Sequence, residues 1–271
     1  MFNNEIQTYL AYTFILSFGI LHGANDLLLL RIKSNKNGFN LNYYNVLGSY
    51  VLVVLAILII FFNFSSLALL LFVLVSAYHF GEQHFKKLEF HNNVLQILFY
   101  LLYGLVILFM LFYLNSNKVI LIFDDLTNIK FSTSLLKSIL ITVAFLFFGT
   151  LVYLKIHSKI KIFEELFYLL VLLVVFKTAG LLWGFCIYFI LWHSIPSIND
   201  QMNFLYGKST KHEFIRYIKS SWVYWLVSII GLFFLYLTFK ENTAYLTSIL
   251  IYFLAAITFP HVIVMSKLEK D

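Results

Sequence analysis

Long apolar runs recur along the whole chain, and they are long enough to cross a membrane as helices. One of these runs includes LALLLFVLVS at residues 67–76, which contains hardly a polar atom. A helix of about 20 apolar residues crosses the hydrocarbon layer. Only 12% of the residues are charged, against roughly a quarter in soluble domains, and no polar block is large enough for a separate soluble domain. We therefore predict an all-α, polytopic transmembrane helical bundle in which residues 1–271 form a single domain.

Hydropathy divides the chain into as many as nine spans, with ends that are correct to a few residues. Two joins are open, because NFSS at residues 63–66 and KTAG at residues 177–180 can each be a loop or a break inside one helix. We therefore expect eight to nine spans. The predicted spans are 8–29, 42–62, 66–84, 94–114, 135–154, 163–180, 183–203, 222–239 and 243–265.

Basic residues are divided unequally between the two sides of this predicted bundle. With the N-terminus outside, fourteen of the nineteen Lys and Arg residues fall on one side. Because cytoplasmic loops carry the excess of Lys and Arg, we expect a multi-pass protein of the inner (cytoplasmic) membrane with its N-terminus outside and its C-terminus in the cytoplasm. Basic loops that face anionic membrane lipids also explain the net charge of +6, so nucleic acid is not an expected partner.

Five histidines lie inside predicted spans, and all five fall in the cytoplasmic half of the membrane. A single His in a span more often bonds a neighbouring helix. Four helices that supply imidazoles at one depth indicate a metal site instead, because imidazole is the commonest metal ligand. No thiolate accompanies them, which favours iron over structural zinc or copper(I). The five are His22 in GILHGANDLL, His79 and His84 in AYHFGEQH, His193 in LWHSIPSINDQ and His261 in TFPHVIVM.

Helix-bending and acidic residues gather around these histidines. The two prolines of the chain, Pro196 and Pro260, each lie within three residues of a His, where they bend a helix and make room. Asp26 comes four residues after His22 and Asp200 seven after His193, so on regular helices each shares the face of its histidine. Such carboxylates, and Glu82 beside His79, can orient a ligand by accepting a ring N–H. Helix capping is the alternative role for the two aspartates.

Four short segments together resemble the sequence boxes of the Brp/Blh family of membrane beta-carotene 15,15′-dioxygenases. LHGANDLLLL is similar to the family's PHGALD box, AYHFGEQH to HFGxxD, WHSIPS to HSxxH, and FPHVIVM to a late PH box. The boxes occur in the family's order from residue 22 to residue 265. The resemblance implies a non-haem Fe(II) enzyme that splits the central double bond of beta-carotene with O₂ to give two retinals. It also implies that His22, His79 and His193 are iron ligands.

One ligand of the family pattern is missing from this chain. Ser197 stands where the family has the second His of HSxxH, and a serine hydroxyl is a poor substitute for imidazole on iron. We predict that His84 replaces it, because the family box usually ends in Asp at that position. This requires the predicted helix 66–84 to unwind or end between His79 and His84, since residues five apart point about 140° away from each other. Gly81 lies between them, where a helix can break at low steric cost. His261 is the alternative fourth ligand, and a three-histidine site is the remaining one.

The substrate of such an enzyme is a long apolar rod, so it must enter from the lipid phase. The chain has 31 Phe, 18 Tyr and 4 Trp, enough aromatic surface to line a slot for a carotenoid. Tyr78 and Trp192, each next to a predicted ligand, are our candidates for that slot. The alternatives are a retinal-binding pigment, for which Lys177 is the only candidate lysine, a membrane desaturase, which would need further histidine boxes, and a transporter or a carotenoid-binding protein with a histidine relay.

Overall fold

A computed structural model of the chain describes residues 4–36, 42–90, 92–157, 160–239 and 243–268, and these residues form helices and no strands. A π-helical segment, Phe189–Ser194, lies between α8 and α9. The α-helices are α1 (Asn4–Gly23), α2 (Asp26–Lys36), α3 (Tyr43–Asn63), α4 (Ser65–His84), α5 (Asn93–Leu114), α6 (Ser116–Thr127), α7 (Thr133–His157), α8 (Ile162–Tyr188), α9 (Ile195–Tyr206), α10 (Lys211–Phe239) and α11 (Thr243–Leu268).

Seven helical stretches of the described residues are long and apolar enough to cross a membrane. The prediction of an all-α polytopic bundle is therefore confirmed. The predicted span 222–239 falls within α10, which begins at Lys211. The seven stretches are Ile6–Lys36, Tyr43–Asn63, Ser65–His84, Asn93–Leu114, Thr133–Leu154, Ile162–Tyr206 and Ser248–Leu268.

Both joins that the sequence left open interrupt the helical backbone, the first between α3 and α4 and the second inside α8. At NFSS, α3 ends at Asn63 and α4 begins at Ser65. At KTAG, Gly180 has φ 75° and ψ −175°, a conformation that is open to glycine. A Cβ on Gly184 would lie 3.4 Å from the Cα of Phe176, although eight residues span about 12 Å in an unbroken helix. The chain therefore folds back on itself at Gly180.

The chain divides into two compact units. The first contains residues 1–64 and 189–271, and the second is Ser65–Tyr188. The first unit is thus made of two separate pieces of sequence, while the second is one continuous segment. The expectation that residues 1–271 form a single domain stays a prediction.

The first predicted span is wrong at its C-terminal end. Instead of one helix over 8–29, α1 ends at Gly23, the backbone turns at Ala24 and Asn25, and α2 begins at Asp26. Asn25 is buried and donates a hydrogen bond to the carbonyl oxygen of Tyr217 at 3.2 Å. A tertiary contact of this kind outweighs the tendency of an apolar segment to continue as one helix. The prediction that His22 and Asp26 share a helix face assumed a regular helix, and that helix is interrupted between them.

Two glycines allow α4 and α5 to pack with their backbones in contact within the second unit. A Cβ on Gly81 would overlap the carbonyl oxygen of Tyr100, and a Cβ on Gly104 would overlap that of Ala77. Small residues of this kind let membrane helices approach closely. Gly81 therefore serves packing here, and α4 continues as a helix through it to His84.

Topology reporters are expected to read cytoplasmic after Lys36, Lys161 and Lys219, and external near Asp125. The reason is the fourteen-to-five division of basic residues, and the reversal at Gly180 also brings the chain back to the same side between Lys161 and Lys219. Paired fusions to a periplasm-active phosphatase and a cytoplasm-active fluorescent protein measure this. Opposite readings at Lys161 and Lys219 would contradict the predicted orientation.

Candidate metal centre

Three histidines from distant parts of the sequence come together in the first unit. His22, His193 and His261 each offer a ring nitrogen, and the three nitrogens lie within 4.8 Å of one another. The three side chains are between 2% and 5% exposed. The ring of His22 is central, with centroids 5.1 Å from His193 and 4.6 Å from His261. A buried group with this spacing could hold one cation between the three imidazoles.

Local backbone features present each of these rings. His22 lies in the last turn of α1, directly before the chain turns away at Ala24. His193 lies in the π-helical segment, whose wider turn immediately precedes Pro196 near the start of α9, and π turns are frequent at functional sites. His261 follows Pro260 inside α11. Each proline thus lies close to a clustered histidine. Next to Pro196 the helix is also irregular, as expected.

Hydrogen bonds fix which nitrogen of His261 and His22 faces a ligand. Nδ1 of His261 lies 2.9 and 3.1 Å from the two carboxylate oxygens of Asp26. The Asp26 carboxylate also accepts a hydrogen bond from the Tyr50 hydroxyl at 3.1 Å. Nδ1 of His22 lies 3.2 Å from the carbonyl oxygen of Phe18. Because carboxylate and carbonyl oxygens only accept, a hydrogen bond at Nδ1 needs the ring proton there, and Nε2 is then the nitrogen with which each ring could bind a metal.

A buried polar network holds the end of α1 that carries His22. Helix ends leave carbonyl groups without a helical donor, and here side chains of α9 and α10 supply it. Gln201 Nε2 donates to the carbonyl of His22 at 2.7 Å, and the Tyr217 hydroxyl donates to Gln201 at 2.8 Å. Gln201 also donates to the Ser197 hydroxyl at 3.2 Å. Ser197, fully buried, is therefore part of the support of His22.

A comparison with known families decides what kind of protein holds this centre. A family model described as Beta-carotene 15,15'-dioxygenase matches residues 13–269. The chain belongs to the beta-carotene 15,15′-dioxygenase family. No curated protein and no solved structure matches it. The match covers almost the whole chain and includes all three clustered histidines.

The remaining ligand that the dioxygenase resemblance assigns, His79, belongs to the second unit. It is 3% exposed, and its Nδ1 lies 3.6 Å from the Glu82 carboxylate. Glu82 also accepts a hydrogen bond from the Tyr78 hydroxyl at 2.8 Å. The predicted neighbours of His79 are thus in contact with it or with each other, and the role of His79 as an iron ligand of this dioxygenase family member stays a prediction.

His84 makes contacts that differ from those expected of the missing ligand. Its Nε2 lies 2.8 Å from the Glu165 carboxylate, and its ring stacks on Tyr103 with centroids 4.7 Å apart. The unwinding of α4 that would turn His84 toward the side of His79 does not occur. The structure therefore gives no support to the replacement of a dioxygenase ligand by His84, which stays a prediction.

Two predicted pocket residues lie on the same unit as the cluster. Trp192 precedes His193 and is half-buried, and Asp200 is half-buried on α9. Because the π-helical segment shifts the register between His193 and Asp200, the expectation that they share one helix face no longer follows from spacing. Their roles in this dioxygenase family member stay predictions.

Tyr50 and Tyr217 were not found by sequence reasoning. Each contacts the support of a clustered histidine from a helix that no motif marks. With 18 tyrosines in the chain, no local signal distinguishes these two in a beta-carotene dioxygenase sequence. Only the packing of α3 and α10 against the site helices identifies them.

Proposed function

We propose that the protein cleaves beta-carotene, or a related carotenoid, with O₂ at a non-haem Fe(II) centre to give retinal. The observation that carries this proposal is the buried group of three imidazoles in a chain of the beta-carotene dioxygenase family. Three neutral nitrogen donors without a thiolate suit iron that must keep open positions. Addition of one O₂ across one double bond balances the reaction, since both oxygen atoms appear in the two aldehydes.

We further propose that His261 takes the place of the imidazole that Ser197 cannot supply. Its ring lies against His22, and its Nδ1 is held by Asp26, so Nε2 is presented to the shared space. A histidine whose far nitrogen is held by a carboxylate is the common arrangement of metal-ligating imidazoles. His22, His193 and His261 are accordingly our iron ligands in the first unit, and the role that the resemblance gives to His79 stays a prediction.

Bound Fe(II) would supply the site at which O₂ is activated beside the substrate. The protein residues do the rest. Asp26 and Tyr50 hold the ring of His261, Gln201 and Tyr217 hold the backbone at His22, and the low exposure of all three imidazoles keeps water away. A dry site favours oxidation of an apolar polyene over side reactions with water. The carotenoid enters from the membrane, which is also where the product leaves.

The proposal of a carotenoid-cleaving enzyme predicts that cells which make beta-carotene lose their colour when they express this chain. Retinal should accumulate at up to two molecules for each beta-carotene lost, and only in the presence of air. Extraction followed by chromatography measures both compounds. Cells that express the His193→Ala variant at the same level are the matched control and should stay orange.

Persistent colour with well-folded wild-type protein would contradict the enzyme. In that case, pigment that co-purifies with the protein without any retinal would identify a carotenoid-binding protein. Protein that holds neither pigment nor iron would favour a transporter. Lys177, the candidate Schiff-base lysine of a retinal pigment, is exposed.

A further inference from the structure

An apolar cavity of about 280 Å³ opens between α1 and α10 in the first unit. Six of its seven lining residues are apolar, and Ser17 is the exception. Two tryptophans, Trp222 and Trp225, form part of its wall. The indole N–H of Trp225 donates to the Ser17 carbonyl at 3.3 Å, so the polar edge of this ring is satisfied and its apolar faces remain for contact.

One end of the cavity is lined by residues next to His22, a histidine of the candidate metal centre. Leu21, which lines it, directly precedes His22, and the carbonyl of Phe18, another lining residue, is the acceptor for His22 Nδ1. On the opposite wall, Ile218 follows Tyr217, whose hydroxyl lies 3.2 Å from the carbonyl oxygen of Leu21. No other part of the lining is as close in sequence to a clustered histidine.

The walls of the cavity are formed by α1 and α10, which cross it side by side. Tyr217 meets the end of α1 at Leu21, whereas Trp225 meets α1 one turn earlier, at Ser17. The two helices therefore run in opposite directions past the cavity. From Ile218 to Leu226 the α10 wall is eight residues long, or about 12 Å at 1.5 Å per residue. We call this cavity the slot; its α10 wall runs from the end lined by Leu21 and Ile218 to Leu226.

The slot is also open on its outer side, within the predicted membrane span 222–239. Trp222 is 53% exposed and Leu226 39% exposed on α10, while Trp225 and Phe18 are half-buried deeper in the slot. A ligand dissolved in the membrane can therefore enter from the side without crossing a polar surface. The lining offers a ligand only the Ser17 hydroxyl and the Trp222 indole N–H as further polar side-chain groups, so an apolar ligand suits the slot and a charged one does not.

We infer that this slot binds one ring end of the carotenoid, which places the polyene chain over the metal centre. The inference rests on the proposed function. An end ring of beta-carotene is six carbons with three methyl groups. At roughly 30 Å³ for each such group, taken as the volume of a water molecule, nine groups occupy about 270 Å³, close to the cavity volume of about 280 Å³. A rigid ring with methyl groups packs against the large apolar faces of two tryptophans with little loss of conformational freedom, whereas a flexible acyl chain must be ordered to do so.

The test measures binding without turnover. Wild-type protein is stripped of metal with a chelator, kept under argon in nanodiscs and titrated with beta-carotene, whose visible absorbance is read on the protein after gel filtration. Leu226→Trp fills the slot and is expected to raise the Kd at least about tenfold. Val227→Trp, the matched control, adds the same side chain at the next position, which is 64% exposed and does not line the slot, and should leave the Kd within about twofold.

A second variant keeps the inference testable if Leu226→Trp fails to fold. Trp222→Ala removes one wall of the slot and is expected to raise the Kd about three- to tenfold, while Phe233→Ala, an exposed aromatic on the same helix, should not. Wild-type affinity in both slot variants would overturn the inference. So would loss of co-purified lipid from Leu226→Trp with unchanged beta-carotene binding, because that result identifies a lipid acyl chain as the occupant.

The outcome is separable from that of the proposed function. If wild-type protein makes retinal in cells but the slot variants bind beta-carotene as wild type does, only the ring-binding slot is wrong. If wild-type protein neither binds nor cleaves beta-carotene, the proposed function fails and the slot fails with it.

Discussion

Replacement of His261 by alanine is expected to remove iron from the protein and to abolish retinal formation. The change deletes one of the three imidazoles whose nitrogens lie within 4.8 Å of one another. Loss of a group that only supports a ligand costs about 10–100-fold in metal affinity, so loss of the ligand itself should exceed that range. Metal analysis of protein purified under argon measures the iron content.

Graded variants distinguish a ligand from a structural residue. Asp26→Asn leaves the His261 ring in place but weakens its hydrogen bond, so iron affinity should fall by about 10–100-fold without loss of fold. His212→Ala is the matched control, since the His212 side chain is 84% exposed. The His84→Ala variant should keep its iron, because the His84 ring contacts the Glu165 carboxylate and is not one of the three clustered imidazoles. The reverse pattern, iron lost from His84→Ala and kept in His261→Ala, would restore His84 as the replacement ligand.

Substitution of Gly104 by valine is expected to prevent the second unit from folding. Any Cβ at this position overlaps the carbonyl oxygen of Ala77, and the overlapping atom belongs to a helix backbone that cannot move aside alone. Overpacking of side chains costs roughly 1–3 kcal/mol and occasionally more, and a backbone collision belongs at the upper end. The yield of monodisperse protein and its melting temperature in detergent measure the effect.

A second glycine in the same unit supplies the control. Gly149 on α7 has nothing within 4 Å of a Cβ built on it, and alanine is about 1 kcal/mol more favourable than glycine inside a helix. Gly149→Ala should therefore be as stable as wild type or more so. A Gly104→Ala variant that melts at the wild-type temperature would show that α4 and α5 do not pack in this way.

Most membrane helices were predictable because the bilayer imposes length and apolarity on the sequence. The predicted spans 42–62, 66–84 and 94–114 differ from α3, α4 and α5 by at most one residue at either end. The break after His22 was not predictable, because the polar groups that stabilise it come from residues about 180 to 195 positions away, such as Gln201 and Tyr217. Hydropathy windows contain no information about such partners.

The sequence predicts that buried histidines form the candidate site, but it does not predict which of them lie next to one another. The sequence indicates the depth of a histidine within a helix, and five histidines were expected at one depth. Which helices are neighbours at that depth depends on packing. In the structure the ring of His261 lies against the ring of His22 and is held by Asp26. Comparison of the motifs favours His84 instead, because the box that contains His84 departs from the family pattern. The Asp26 contact crosses 235 residues and has no signal in local spacing.

The discontinuity of the first unit also sets an order of events during synthesis. The second unit, Ser65–Tyr188, is one continuous segment, so all its partners are present soon after α8 leaves the ribosome. His22 must wait for His193 and His261. At ribosome speeds of about 5–20 residues per second, that wait lasts roughly 10 to 50 seconds. During this interval His22 and Asp26 lack their partners on the later helices, so the group of three histidines can form only after α11 is inserted.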